Sequence, residues 1–365
     1  MSETYFVTGA TGFIGRSLTR RLLESGARVK CLVRTAAKAD WLAGTPNVEI
    51  INGDLRDGAA LARGVEGVDG VFHVAGLTRE VRRGEFMEVN CGCTLDLARY
   101  CVRSGRRPTL VVVSSLSCSG IARKGDALSG ESGERLYGLC RRRRETDYPR
   151  PISPYGRSKF AAEQNLQDYS EKLPITIVRP PYVFGEWDMA SLQLFSMAKR
   201  HGSFVLPGWK DRYFSFVYVE DLVDVLIAAM TRGERLTQTS LEPTGGGSSR
   251  EKFCSGKGIY FATAPEPILF SEYGRTLSRA YGRKNVLLFR IPPVGVLGTG
   301  VFGECYKTLK HKNLAIDLNK AFEALRGPWI CSGEKVKEQL GVAISPDLES
   351  KFRRVALWYE NQGLV

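Results

Sequence analysis

Tyr155-Gly156-Arg157-Ser158-Lys159 sets a phenol and an amine four residues apart, the interval that puts both on one face of a helix. An ammonium beside a phenol favours the phenolate, so a hydroxyl whose ordinary pKa is about 10 can exchange protons nearer neutrality. Ser114-Ser115 closes the apolar run Leu110-Val111-Val112-Val113. That places Ser115 at the carboxyl end of an expected strand, the edge at which open α/β sheets take ligands. A hydroxyl there can hold a substrate oxygen while Tyr155 moves the proton.

A second group of residues has the chemistry of phosphate binding. Thr8-Gly9-Ala10-Thr11-Gly12-Phe13-Ile14-Gly15 follows the apolar run Tyr5-Phe6-Val7 and opens a helical pattern, with Gly9, Gly12 and Gly15 at i, i+3 and i+6. Glycines at those positions allow a sharp turn and let a pyrophosphate approach helix N-terminal amides, so a dinucleotide is expected against Thr11, Phe13 and Ile14 as well. The next run ends Leu32-Val33-Arg34-Thr35. Val33 stands where an acid would bind the ribose 2′-hydroxyl of NAD, whereas Arg34 and Lys38 suit a 2′-phosphate, so NADP(H) is the preferred cofactor and NAD(H) the alternative. Asp54, before Leu55, can accept from the adenine amino group or cap the helix that follows. Ala75 and Gly76 leave room for the cofactor.

The elements that must position these groups read as alternating strands and helices. Strands are expected at Tyr5–Val7, Arg28–Val33, Val48–Ile51, Val71–Val74, Leu110–Val113 and Ile175–Val178, with helices at Ser17–Ser25, Asn90–Val102 and Ser158–Ser170. That alternation predicts an α/β protein with a Rossmann-type doubly wound parallel sheet. Residues 1–180 form the expected dinucleotide-binding domain, with a basic insertion at about 121–144. Residues 181–365 form a smaller, interleaved substrate-binding lobe, with 216–262 returning to the sheet. Helices are expected at Val219–Met230, Ser271–Tyr281 and Leu348–Asn361, and a flexible connection at Gly245–Ser249.

The 365 residues carry 52 Lys and Arg against 39 Asp and Glu, a net charge of +13. Part of the excess is local, in Arg141-Arg142-Arg143-Arg144, and a run of that kind is expected to be a solvated loop. It lacks interleaved aromatics, so nucleic acid is not an expected partner. Nine scattered cysteines and three histidines give no ligand spacing, so no metal is expected; reduced thiols point to the cytoplasm. The uncharged residues of Ile291–Gly303 can touch a bilayer but fall short of the roughly 20 needed to span one.

In combination, the glycine motif, Ser115, Tyr155 with Lys159, Arg179-Pro180-Pro181-Tyr182-Val183-Phe184-Gly185 and Val217-Tyr218-Val219-Glu220-Asp221-Leu222 resemble the extended short-chain dehydrogenase/reductase family, the NAD(P)-dependent epimerase/dehydratase superfamily. The look is nearest to its dihydroflavonol-reductase and 3β-hydroxysteroid-dehydrogenase branches. The resemblance implies that Tyr155 is the general acid/base, that Lys159 holds the nicotinamide ribose and tunes Tyr155, and that Ser115 orients the substrate oxygen. It further implies that backbone from Pro181 to Val183 faces the carboxamide, that Asn90 matches a family asparagine, and that the protein is a homodimer.

Three functions follow as expectations. The first is an NADP(H)-dependent oxidoreductase interconverting a ketone and a secondary alcohol on a bulky, mostly apolar substrate, with Tyr182, Phe184, Trp187, Trp209, Arg212 and Phe214 at the substrate. The second is a nucleotide-sugar epimerase or dehydratase that retains NAD(P), and the third a non-catalytic NADP(H)-binding sensor. Phe214 stands where nucleotide-sugar members present an arginine, with Arg212 two positions away.

Overall fold

The computed structural model describes residues 2–122, 137, 140–244, 252–310 and 318–365, the side chains of 305–310 excepted. The expected connection Gly245–Ser249, and most of the insertion preceding Arg141, lie outside the described residues.

In the first half, β1 (Thr4–Thr8), α1 (Phe13–Glu24), β2 (Arg28–Val33), β3 (Val48–Asn52), α2 (Gly58–Val65) and β4 (Gly70–His73) alternate. Then come α3 (Cys93–Arg103), β5 (Thr109–Val113), the short α4 (Leu116–Ser119), α5 (Pro154–Leu166) and β6 (Ile175–Arg179). The second half begins with β7 (Tyr182–Phe184), α6 (Leu192–His201), β8 (Ser203–Pro207), β9 (Tyr213–Phe214), β10 (Phe216–Tyr218) and α7 (Val219–Arg232). It continues through β11 (Ile259–Phe261), β12 (Ile268–Leu269), α8 (Phe270–Ala280) and β13 (Leu287–Ile291), and closes with α9 (Pro293–Lys310), α10 (Leu318–Leu325) and α11 (Leu348–Asn361).

Among the described residues, seven strands form one sheet in the order β11-β6-β5-β4-β1-β2-β3, and every pairing in it is parallel. The order reverses beside β1, so the crevice at the carboxyl ends of β1 and β4 is the position where such sheets bind nucleotides. Both faces are covered. Val7, Val29, Phe72 and Val111 face the layer that holds α1 and α7, while Phe6, Val71, Leu110 and Ile177 face α2 and α3. Continuous apolar strands of this kind are what burial on two faces requires.

Helix starts differ from the sequence pattern for local reasons. α1 begins at Phe13 rather than Ser17, because extended Gly12 caps it and the glycine loop runs straight into the first turn. α5 begins at Pro154, ahead of the apolar pattern at Ser158 and as the placement of Tyr155 and Lys159 on one helix face requires; Ser153 accepts from the Gly156 N–H at 3.1 Å, and Pro154 suits the first turn, where no N–H is needed.

The arginine run is not a solvated loop. Arg141 donates two hydrogen bonds to Asp147, at 2.9 and 2.5 Å. Arg142 reaches the Pro265 carbonyl and Glu334. Arg143 is buried and donates to the carbonyls of Ser119 and Tyr148 at 3.2 and 2.8 Å. Its backbone bridges to the strip around Cys331. Asp147 and Tyr148 are local, but Ser119, Pro265 and Glu334 lie far away in sequence, so composition alone could not show that these charges are held internally.

Candidate active site

The glycine loop is shaped by contacts that admit no side chain. Gly9 has φ +77°, and a Cβ there would lie 2.8 Å from the Ala75 nitrogen; at Gly15 a Cβ would lie 2.0 Å from the Gly9 carbonyl oxygen. Backbone therefore packs on backbone, and α1 opens with no side-chain cap and no acid in its first turn. Its N-terminal amides and dipole are available to an anion. Thr11, Gly12, Phe13 and Lys38 line a cavity of about 510 Å³ together with Arg16 and Trp187. A dinucleotide fits these residues: the diphosphate at Gly9 to Phe13, the adenosine end toward Lys38. Arg34 is exposed just beyond β2, beside this cavity in sequence and strand order.

Asp54 accepts from the Arg56 N–H at 2.8 Å, and it is Asp57 that caps α2 through the Ala60 N–H at 3.0 Å. The capping alternative for Asp54 is therefore corrected; Asp54 and Leu55 sit half-buried at the end of β3. Beyond β4, Ala75 closes on Gly9, and a Cβ at Gly76 would come 3.0 Å from Lys159 Nζ and 3.1 Å from Asn90 Oδ1. The space beside Gly76 is thus bordered by Lys159 of α5 and by Asn90.

Tyr155 and Lys159 lie on α5, with Ser115 facing them from the end of β5 as the cap of α4. Ser115 lies near enough to the Tyr155 hydroxyl to pull its pKa down and accepts from the Ser117 N–H at 3.1 Å. Burial raises the Tyr155 hydroxyl above its ordinary value, and the Glu323 carboxylate pushes in the same direction. With protein groups alone Tyr155 is a proton donor, not the phenolate that its spacing from Lys159 suggested. Lys159 instead donates to the Val113 carbonyl at 3.0 Å, and burial pushes its ammonium down to about 8, against the pull of Glu163.

Two buried networks support this pair. Arg179 at the end of β6 forks onto Glu163, one turn beyond Lys159, at 2.5 to 3.2 Å, and both side chains are fully buried. The second network runs from Thr8 to Asn90. His73 Nδ1 lies 2.8 Å from Thr8 Oγ1 and Nε2 lies 2.8 Å from Thr94 Oγ1, while Thr94 gives its own proton to the Asn90 carbonyl. Thr94 must then accept from Nε2–H, which leaves Nδ1 accepting from Thr8. Desolvation, aided by Lys159, pushes His73 down to about 3, so it is neutral. Asn90 stands in a single π turn, Met87–Gly92. From there its side chain exchanges two hydrogen bonds with the Leu77 backbone, at 2.7 and 2.9 Å, and donates to Ser158 at 3.1 Å.

A second cavity, of about 340 Å³, opens at Ser115 and Pro181. Its walls include Tyr182, Leu206, Phe214, Phe270 and Trp329, with Arg212 and Glu323 among the charged residues. Of the residues expected at the substrate, Tyr182, Arg212 and Phe214 are brought there and three are not. Phe184 is fully buried against Phe216, Tyr218 and Phe352, because β7 pairs with β10 and turns it into the core. Trp187 meets Trp358 edge-on and lies under Arg16, beside the cavity at the glycine loop. Trp209 is 65% exposed, outside the cavity lining. Val183 is half-buried on β7, next to Pro181.

Sequence reasoning missed His73 and Thr94, for which a polar residue inside the run Val71–Val74 was a usable signal. It also missed Glu323, Phe270 and Trp329, which no local spacing marks.

A parallel sheet with a glycine loop at its switch point, and a Ser-Tyr-Lys set at the adjoining strand end, define a nucleotide-dependent enzyme of the extended short-chain type. A model of the NAD dependent epimerase/dehydratase family matches residues 5–239. The chain belongs to that family, and it is an NAD(P)-dependent enzyme. It is 28% identical over 358 residues to the "Ceramide reductase" of Caulobacter vibrioides, covering 98% of this chain and 94% of that protein. It is 31% identical over 240 residues to the "Sterol demethylase protein B" of Methylococcus capsulatus, covering 64% of this chain and 67% of that protein. Its fold matches the UDP-glucuronic acid 4-epimerase of Bacillus cereus in complex with NAD, with a TM-score of 0.68 over 98% of this chain and 97% of that one at 16% identity.

Proposed function

We propose that this protein is an NADP(H)-dependent oxidoreductase that interconverts a ketone and a secondary alcohol on a bulky, lipid-like substrate. The observation that carries the reading is the aromatic and aliphatic wall facing Ser115, formed by Tyr182, Leu206, Phe214, Phe270 and Trp329. Such a wall favours an apolar body. The similarity to a ceramide reductase extends over nearly the whole chain, substrate lobe included. Arg34 and Lys38, with Val33 in place of an acid, support the 2′-phosphate.

A bound nicotinamide dinucleotide supplies the hydride. Ser115 holds the substrate oxygen by hydrogen bond, and Tyr155 gives up the proton at its hydroxyl as that oxygen becomes an alkoxide. Burial keeps the Tyr155 proton in place until that oxygen can take it. Lys159 contributes a buried cation within reach of the space beside Gly76.

The test is NADPH oxidation by the purified protein against long-chain, sterol-like and polyphenolic ketones, with UDP-sugars as the second panel. Consumption with a lipid-like ketone, and its loss in Tyr155→Phe, is expected. The second reading, a nucleotide-sugar epimerase, is favoured by Arg212, which lines the same cavity. Micromolar UDP-sugar binding abolished by Arg212→Ala, with no NADPH consumed by any ketone, would establish that reading instead.

A further inference from the structure

α9 presents to solvent a face that a water-exposed helix seldom carries. Val294, Gly295, Gly298, Thr299, Val301 and Phe302 are its exposed positions up to Gly303, and none bears a charge. Val294 is 81% and Phe302 67% exposed, while Val296, Gly300 and Gly303 turn inward. A helix bordering water normally places its charged residues on that side. Exposed apolar residues also stand on the elements next to it in chain or packing order, Leu287 and Phe289 of β13 and Phe322 of α10, and at Trp209 just past β8.

This surface adjoins the substrate cavity on two sides. β13 pairs with β8, whose Leu206 and Pro207 line the cavity. α10, packed against α9, contributes Glu323 and Ala324 to the cavity wall. Among the described residues, Lys210, Arg290 and Arg326 are exposed cations beside it, whereas Asp211, Glu304 and Glu323 are half-buried.

We propose that this face docks on the surface of an anionic lipid bilayer, with α9 lying in the interface and the cavity mouth turned toward the lipid. No helix among the described residues is long and apolar enough to cross a membrane, so the contact is peripheral. Charge selects the occupant. In a two-fold dimer the patch would meet itself and bring like cations together, whereas anionic headgroups complement Lys210, Arg290 and Arg326 and the lipid interior takes the apolar centre. The proposal goes beyond the reaction assigned above, and its test requires no turnover.

The full chain is floated with vesicles of phosphatidylcholine alone and of phosphatidylcholine mixed with phosphatidylglycerol. Binding to the mixed vesicles, weakening as salt is raised, is expected. The double variant Val294→Asp/Phe302→Asp should lose at least about tenfold in partitioning, and Arg290→Glu roughly fivefold or more. Retained NADPH binding in each variant shows that the fold is intact. Absence of vesicle binding, or equal partitioning of the double variant and the wild type, would overturn the proposal. So would a wild-type dimer in sedimentation that the double variant converts to monomer, which would assign the face to a second copy of the chain.

Discussion

The cofactor end and the substrate end of the cleft are specified by different physics. At the cofactor end, backbone meets backbone: Gly15 against Gly9, Gly9 against Ala75, and Gly76 facing Lys159 and Asn90. At the substrate end, side chains from Ser115, Tyr182, Phe214, Phe270 and Trp329 converge on one cavity. Steric exclusion at a few positions fixes the first geometry for a chemically constant ligand. Packing of large, exchangeable side chains fixes the second, so the substrate can change while the cofactor site stays the same.

The contrast breaks most sharply at the residue that joins the two ends. Tyr155→Phe should cost at least about 100-fold in turnover while leaving NADPH affinity nearly unchanged, because only the transferred proton's carrier is lost; steady-state kinetics with fluorescence titration checks both numbers.

Next in size is the support beneath the cofactor end. Arg179→Met leaves Glu163 buried without its fork, and should lower unfolding free energy by about 3–5 kcal/mol in chemical denaturation.

A pH-dependent effect separates the catalytic role of Lys159 from its structural cost. Its folded value, about 8, lies below the ordinary 10.5, so between those values the unfolded chain holds more protons and folding becomes more favourable as pH rises. Relative to Lys159→Met, wild-type stability should therefore increase by about 2–3 kcal/mol from pH 8 to 10.5, with a flat difference contradicting the buried ammonium. The same substitution should damage both turnover and cofactor binding.

Arg34→Asp sharpens the cofactor side, with NADPH affinity expected to fall by about 2 kcal/mol and NADH affinity far less. Equal losses in calorimetry would mean that Arg34 does not read the 2′-phosphate. The smallest effect belongs to the substrate end: Phe214→Leu should raise KM for an apolar ketone by roughly fivefold, through loss of ring contact, and leave NADPH binding alone.

Legibility in the sequence followed the same division. The first six strands of the sheet and the glycine loop are readable because each is a short apolar run bounded by turn residues, and β1 and β2, where Thr4 pairs with Arg28, close a βαβ unit around that loop. Ser115, Tyr155 and Lys159 are readable because strand ends and helix faces are set by short spacings. The substrate wall is not, since Phe270 and Trp329 reach it from separate late segments. Phe184 was misplaced because alternation along a three-residue strand gives no indication of which face is the core. The arginine run misled for a related reason: Asp147 is local, but Glu334 and the carbonyls of Ser119 and Pro265 come from remote parts of the chain.

The π turn at Met87–Gly92 also sets the helical phase of what surrounds it. A π turn holds one residue more than the α pitch needs, and each residue of an α-helix advances the rotation by about 100°. Asn90 can face Leu77 and Ser158 while α3, immediately following, keeps Leu97, Ala98 and Cys101 against the sheet. In a regular helix Asn90 would share the azimuth of Leu97 and Cys101, because 7 and 11 residues bring the rotation back to within about 20°; the π turn offsets the two. The extra residue acts as a phase shifter between a stretch aligned on the reaction and a stretch aligned on the core, so deletion of a single residue there would put the two out of register without altering any side chain that touches the ligand.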